Sequence, residues 1–367
     1  MPGLEDKLEE LREEYSKTKY NKATNKHLGI LRKKIAKIKK ELSEKKGGSG
    51  IGFAVKKNGD ATVALVGFPN AGKSSFLGMV TDAESKVADY AFTTLTVVPG
   101  MLEYNGSSIQ ILDVPGLIEG ASIGKGGGRK IVSVIRVADL IVFMIDVNAP
   151  VQLYKLLDEL YSLDIRVNTK RPNIRIEKLK AGGINVESNK HKAPDKRSIA
   201  EILNEYKIFN ANVIFHQDAT VEDVSDFLDE TITYVDAIVF LNKIDMVDLS
   251  YAEGIKKELE KSTGMKVVLI SAGKGINLQE AKDAIFYKLG LMRIYLKPKT
   301  GEPDMKKPLI LKQGSTVLNA AKILHSKHVN NLKYAYVTGK SVKFGNQRVG
   351  KEHVLKDQDI ITLIYEK

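Results

Sequence analysis

Residues 62–80 constrain this chain more than any other stretch. The apolar run Thr62-Val-Ala-Leu-Val66 reads as a buried strand. Gly67-Phe-Pro-Asn-Ala-Gly-Lys-Ser74 follows at once, and Ser75-Phe-Leu-Gly-Met-Val80 is compatible with a helix. The pattern G-x-x-x-x-G-K-S between a strand and a helix is that of a loop that cradles phosphates. Its glycines let backbone N–H groups turn inward, and the helix behind it adds partial positive charge at its N-terminus. In such a loop Lys73 reaches β- and γ-phosphates, and the Ser74 hydroxyl ligates Mg2+. Gly67, Phe68, Pro69, Asn70, Ala71, Gly72, Lys73, Ser74 and Ser75 are therefore candidate phosphate contacts. An ordinary glycine turn accounts for the glycines but not for Lys73 and Ser74.

Further motifs follow in the order that hydrolysis of a nucleoside triphosphate requires. Asp113-Val-Pro-Gly116 closes the strand-like Ile109-Gln-Ile-Leu-Asp113. There Asp113 is placed to hold the Mg2+ hydration shell and the Gly116 N–H to sense a γ-phosphate, with Val114 and Pro115 between them. Phe92-Thr-Thr-Leu95 precedes it, and Thr94 offers a second hydroxyl to Mg2+, with Phe92 and Thr93 beside it. Each motif alone is a weak signal; placed after a phosphate loop, each gains specificity. Lys73, Thr94 and Gly116 are the candidate catalytic residues, with Asn70 discussed below.

Asn242-Lys-Ile-Asp245 directly follows an apolar run and decides the base. A carboxylate at Asp245 accepts hydrogen bonds from guanine N1–H and its exocyclic amino group. Adenine lacks the N1 donor and would leave that carboxylate mismatched, at about 1–3 kcal/mol. Asn242 is expected to brace the surrounding loops and the Lys243 stem to lie over the purine, with Ile244 between Lys243 and Asp245. After the last strand, Ser271-Ala-Gly273 is expected to offer the Ala272 N–H to guanine O6. The ligand read from these residues is GTP and its product GDP, not ATP.

Around these motifs the chain alternates strands and helices. Strands are expected at Thr62–Val66, Ile109–Asp113, Leu140–Val147, Tyr234–Leu241 and Lys266–Ile270. Helices are expected after the phosphate loop, from Val151 to about Leu163, and around Ala281, Ile285 and Leu289. That alternation predicts an α/β domain with a mostly parallel sheet covered on both faces. Its expected bounds are 51–164 and 217–290. Ahead of it, Leu4, Leu8, Leu11 and Tyr15, then Leu28, Leu31, Ile35, Ile38 and Leu42, form two short heptad stripes. They predict a helical hairpin over residues 1–50, closed by the Gly47-Gly-Ser-Gly50 linker. Residues 165–216 break the alternation and predict a small inserted α+β domain. Residues 291–367 predict a helix lying across a small mixed sheet.

The formal charge of +12 is unevenly placed. Residues 1–50 carry 14 Lys/Arg against 8 Asp/Glu, residues 165–216 carry 11 against 5, and residues 291–367 carry 15 against 6. The remainder carries 17 against 26, so basic appendages surround an acidic core. A solvated lysine-rich surface is the bland reading; three basic segments together favour contact with a nucleic acid. With no Cys, disulfides and cysteine-ligated metals are excluded. The chain opens on Glu5, Asp6, Lys7, Glu9 and Glu10, not on the apolar core of a secretory leader. Its longest apolar run, Leu140–Ile145, is far too short to span a bilayer. A cytoplasmic protein is expected. Among the histidines, His325 and His328 alone stand at an i,i+3 spacing, with no third ligand beside them, and read as surface.

Gly67–Ser74, Tyr90-Ala-Phe-Thr-Thr-Leu95, Asp113-Val-Pro-Gly-Leu-Ile-Glu-Gly-Ala121, Asn242–Asp245 and Ser271–Gly273 together resemble the TRAFAC-class GTPases of the Obg group. The likeness is strongest to the developmentally regulated GTP-binding protein (DRG) family. It extends to the hairpin with Asn21-Lys-Ala-Thr24, the insertion and the basic tail, and so covers essentially the whole chain. The resemblance implies a P-loop GTPase domain, an inserted domain resembling a ribosomal protein, and a C-terminal TGS domain with a β-grasp fold. It also implies GTP-dependent binding to ribosomes or their RNA, or to tRNA, as a translation-associated switch. Relatives in eukaryotes work with a dedicated regulatory partner protein, so such a partner is possible here. Neither membrane nor DNA is expected.

Leu117 stands where Ras-type GTPases carry a glutamine that orients the attacking water. An alkyl chain cannot hydrogen-bond water, so intrinsic hydrolysis should be slow or need another element. Asn at the position of Asn70 helps related GTPases hold a K+ ion that bridges phosphate oxygens, which makes K+ stimulation the expectation. The glycine-rich stretch Gly120–Lys130 follows the γ-phosphate sensor and has the composition of a switch segment; Arg129 and Lys130 read more readily as solvated residues than as catalytic cations. Two other readings compete: a signalling GTPase with a protein effector and no nucleic acid, and an RNA-binding module in which GTP is structural.

Overall fold

The computed structural model describes residues 7, 10, 11, 14, 31, 34, 38, 58–81, 98–114, 127–188, 191–298, 300–324 and 331–366. Among the first 57 residues, the seven described positions are all helical, and Leu31 and Ile38 of the second stripe are buried. The rest of the expected hairpin lies outside the described residues. So do Phe92, Thr93, Thr94, Pro115, Gly116 and Leu117.

The chain divides into two compact units. One comprises residues 55–115, 137–153 and 236–367 and holds the central sheet. Its strands are β1 (Ala61–Val66), β2 (Val98–Tyr104), β3 (Ser107–Asp113), β4 (Leu140–Asp146), β9 (Thr233–Asn242) and β10 (Val267–Leu269). They are ordered β10-β9-β4-β1-β3-β2. Five are mutually parallel, and only β2 runs antiparallel, as the outgoing arm of a hairpin with β3. β1 and β4 are near-continuous apolar runs because both faces of a parallel sheet are covered. Helix α1 (Lys73–Val80) packs Phe76, Leu77 and Val80 on one face, and α7 (Leu278–Lys288) adds Ala281, Ala284, Ile285 and Phe286 to the same core. Phe76 and Phe240 meet edge to face at 5.3 Å. Each such side chain, fully buried, stabilises the fold by about 1.5–3 kcal/mol.

Two elements of this domain are absent from the sequence reading. Strand β2 carries little alternation, and its place at the sheet edge is set by the Asn105-Gly106 turn, both residues having positive φ. Helix α6 (Leu249–Thr263) was legible in principle, since Ala252, Ile255 and Leu259 keep helical spacing and are buried.

The same unit ends in a five-stranded mixed sheet, ordered β12-β11-β15-β13-β14. The strands are β11 (Leu291–Leu296), β12 (Leu309–Lys312), β13 (Leu332–Thr338), β14 (Gln347–Val349) and β15 (Ile360–Tyr365). Helix α8 (Val317–Leu324) covers one face, burying Val317, Ala320 and Ala321 against Ile294, Val337 and Ile361. This is the helix across a small mixed sheet expected for residues 291–367.

The second unit contains α2 (Gly127–Val137) nearly whole, most of α3 (Gln152–Ser162) and β5 (Ile165–Val167). It also holds a small three-stranded sheet of β6 (Ile174–Lys178), β8 (Ala211–Phe215) and β7 (Ile184–Glu187). Helices α4 (Lys196–Glu205) and α5 (Val221–Leu228) pack on that sheet. Asp195 caps α4 through the Ser198 N–H, and Thr220 with Asp223 forms a capping box at the start of α5. Val224 of α5 shares one core with Ile199, Val213 and Phe215, so the edge expected at residue 216 falls inside this module. Arg166 closes the unit: it is buried, pairs with Asp226 at 2.8 Å, and lies 3.9 Å from the Tyr161 ring centre.

Candidate nucleotide-binding site

The five parallel strands β10, β9, β4, β1 and β3 end at one edge, and each delivers a residue of interest there. Gly67 follows β1, Asp113 ends β3, Asp146 ends β4, Asn242 ends β9, and Ser271 lies just beyond β10. The crevice at the carboxyl ends of parallel strands is where open α/β sheets bind ligands.

The loop between β1 and α1 is shaped by backbone as much as by side chains. Asn70 and Gly72 both adopt positive φ, at 62° and 92°. A Cβ on Gly67 would collide with the Met144 carbonyl of β4, and one on Gly72 with the Asn242 amide. Ala71 is buried beneath the loop, whereas Pro69, Asn70, Ser74 and Ser75 are exposed. Lys73 folds back over the loop, donating to the Gly67 carbonyl at 2.9 Å and the Phe68 carbonyl at 3.1 Å. Burial lowers its ammonium pKa, with the Asp113 carboxylate acting in the opposite sense.

Ser74 Oγ donates to Asp113 Oδ2 at 2.9 Å, which joins two of the three expected Mg2+ ligands. The other carboxylate oxygen, Asp113 Oδ1, is buried and has no hydrogen-bond partner. An unpaired buried carboxylate oxygen beside a hydroxyl is a hard-oxygen donor set, so these residues fit Mg2+. The Val114 N–H extends the β1–β3 pairing to the Leu65 carbonyl at 3.2 Å.

Asn242 is nearly fully buried and ties three segments together. Its Nδ2 donates to the Ala71 carbonyl at 2.8 Å, and its Oδ1 accepts from the Ala272 N–H at 2.9 Å. The bracing role expected for Asn242 is thus visible in detail. The same bond corrects the expectation for Ala272, whose N–H is turned inward to Asn242 and not left for a base. Ser271 fixes the turn beyond it, its Oγ accepting from the Lys274 N–H at 3.2 Å. Gly273 is exposed at the crest of that turn. Lys243 adopts a left-handed φ of 66°. Ile244 is buried and donates its N–H to the Ile270 carbonyl, and Asp245 is exposed in a single turn of 3-10 helix.

One residue of the site escaped the sequence reading. Asp146 Oδ2 accepts from Lys243 Nζ at 2.7 Å, and its Oδ1 accepts from the Asn148 backbone and side chain. Burial pushes the Asp146 carboxyl pKa up, but the Lys243 and Asn148 hydrogen bonds outweigh it and leave the pKa below the ordinary value. The available signal was a lone carboxylate ending an otherwise apolar strand.

Comparison with known proteins agrees with this geometry. Protein-family models described as "50S ribosome-binding GTPase", "C-terminal region of MMR_HSR1 domain" and "TGS domain" match residues 62–178, 181–291 and 292–365. Developmentally-regulated GTP-binding protein 2 of Homo sapiens is 38% identical over 367 residues, 99% of each chain. The chain belongs to the developmentally regulated GTP-binding protein family. A GTP-binding protein of Methanocaldococcus jannaschii is 46% identical over 368 residues, spanning 100% of this chain and 94% of the relative. The YchF GTPase of Schizosaccharomyces pombe, at 16% identity, aligns with a TM-score of 0.50 over 84% of this chain and 99% of that one, and shares its fold. As a DRG-family protein the chain is a P-loop GTPase with a C-terminal TGS domain, binding GTP and GDP. Among the described residues no helix is long and apolar enough to cross a membrane.

Proposed function

We propose that this DRG-family GTPase is a cytoplasmic, translation-associated switch that engages ribosomal RNA or tRNA through its basic appendages. The observation that carries the reading is the charge map, in which an acidic nucleotide core bears three basic segments. The description of the matching family model as a ribosome-binding GTPase supports it. A regulatory partner protein would be a further level of control.

At the site, Lys73 gives up its loop carbonyls for the β- and γ-phosphates, whose negative charge attracts its ammonium more strongly than two neutral carbonyls do. Ser74 and Asp113, together with Thr94, would hold Mg2+, which would neutralise charge on the phosphate oxygens. Asp245 selects guanine, and with the Ala272 N–H committed to Asn242, the N–H of the exposed Gly273 is the better donor to guanine O6. The Gly116 N–H reports the γ-phosphate. Leu117 offers the attacking water no side-chain acceptor, which would make turnover slow; Asn70, exposed at the loop apex, would supply a side-chain oxygen to K+, which would bridge phosphate charge.

Cosedimentation with ribosomes in GTP, GDP and a non-hydrolysable analogue tests the reading. Nucleotide-dependent association that weakens steeply with added salt is expected, because phosphate contacts release counterions. Salt-insensitive capture of a protein effector, with no ribosome or RNA association, would instead establish the signalling reading. RNA association that ignores nucleotide and survives Lys73→Ala would make GTP structural.

A further inference from the structure

The sheet of the TGS domain has a second face. Along β13, Leu332, Ala335 and Val337 enter the core, while Tyr334 and Tyr336 stand half-buried on the opposite side. The register places Ile364 opposite Tyr334 and Thr362 opposite Tyr336 on β15, with Arg348 of β14 on the other flank of Tyr336. Tyr295 of β11 lies opposite Ile360. The G domain occupies the far end of this face, where Leu291 and Ile310 join its core and Arg293, paired with Asp357, stands over Phe286. Among the described residues, the end formed by β15, β13 and β14 carries no such cover.

This open end has specific chemistry. Tyr334 and Tyr336 meet edge to face at 5.4 Å, and the Arg348 guanidinium lies 4.0 Å from the Tyr334 ring centre. No outward position on β11, β13, β14 or β15 is a carboxylate; nearby, Asp357 is taken by Arg293 and Glu366 by Lys333. Phe344, 74% exposed, sits beside the exposed Lys343 in the loop joining β13 to β14. The segment as a whole carries 15 Lys/Arg against 6 Asp/Glu. Rigid aromatic rings with an interleaved guanidinium on a cationic domain match flat, apolar base faces strung on phosphates. Duplex RNA hides those faces, whereas unpaired nucleotides offer them.

We propose that the outer face of the TGS sheet, centred on Tyr334, Tyr336 and Arg348, is a stacking platform for unpaired bases of single-stranded RNA. It rests on the reading that the chain binds RNA, and it assigns one face and one form of RNA to that activity. The test uses the full chain with a short single-stranded RNA carrying 2-aminopurine, and the same strand annealed to its complement. Anisotropy reports affinity, and 2-aminopurine emission reports stacking.

Single-stranded RNA should bind more tightly than duplex, with a change in emission. Y334A/Y336A should weaken it about ten-fold or more, since each stacked base contributes on that scale. Y334F/Y336F should retain binding, and GTP turnover should be unchanged in both. Should Y334A/Y336A fail to fold, R348E at its exposed position must still weaken the single strand. Wild-type binding matched by Y334A/Y336A, or by R348E, overturns the platform while leaving RNA binding intact, as does a preference for duplex. No binding of either RNA by the wild type at low salt overturns both readings.

Discussion

The Asn242 side chain donates to the Ala71 carbonyl at 2.8 Å, joining the end of β9 to the loop between β1 and α1 across 171 positions of sequence. The other end of the same amide holds Ala272, so one buried residue sets the spacing of all three loops. A ligand that bridges base and phosphate sites needs that spacing fixed before it arrives.

Replacing Asn242 by Ala leaves the Ala71 carbonyl and Ala272 N–H buried without partners. Each such group costs about 1–3 kcal/mol, so a stability loss of roughly 2–6 kcal/mol is expected in denaturant titration. GDP affinity should fall with it. Wild-type stability and affinity in N242A would show that the amide is not the brace described.

Two glycines six positions apart should respond in opposite senses to alanine. Gly72 has φ 92° and its Cβ would strike the Asn242 amide, so G72A should lose about 1–3 kcal/mol and most nucleotide binding. Gly78 lies within α1 with open space around it, so G78A should gain about 0.5–1 kcal/mol. Thermal unfolding with and without GDP separates the two.

Asp146 gives the site a pH signature. Its folded pKa is depressed, so the stability it contributes is present above the unfolded carboxylate value of about 3.9 and is lost as pH falls through the lower folded value. D146N should flatten that part of the acid stability curve. It should also free Lys243 and weaken GDP binding at neutral pH. An acid limb identical in wild type and D146N would remove Asp146 from the account.

Monovalent cations test Asn70. At matched ionic strength, GTP turnover should be faster in K+ than in Na+, and N70A should erase the difference while leaving GDP affinity near wild type. Equal rates in both salts, with N70A silent, would return Asn70 to a purely conformational role suited to its left-handed φ of 62°.

Local chemistry wrote much of this protein legibly. Glycine spacing with Lys73 and Ser74 points to a GTP-binding protein because a strand, a glycine-rich turn and a helix in that order form a local pattern, and the family match agrees with that ligand. Apolar runs such as Leu140–Ile145 announce buried parallel strands for the same local reason. The tertiary structure decided what depends on distant partners. The turn of Ala272 toward Asn242, the pairing of Asp146 with Lys243, the edge strand β2 and the joining of α5 to the inserted core each need residues remote in sequence. A hydrogen bond or packed face between such residues leaves no periodicity in either segment. The sequence by itself therefore determined the ligand and the order of the elements, and folding decided which backbone groups remain free to meet it.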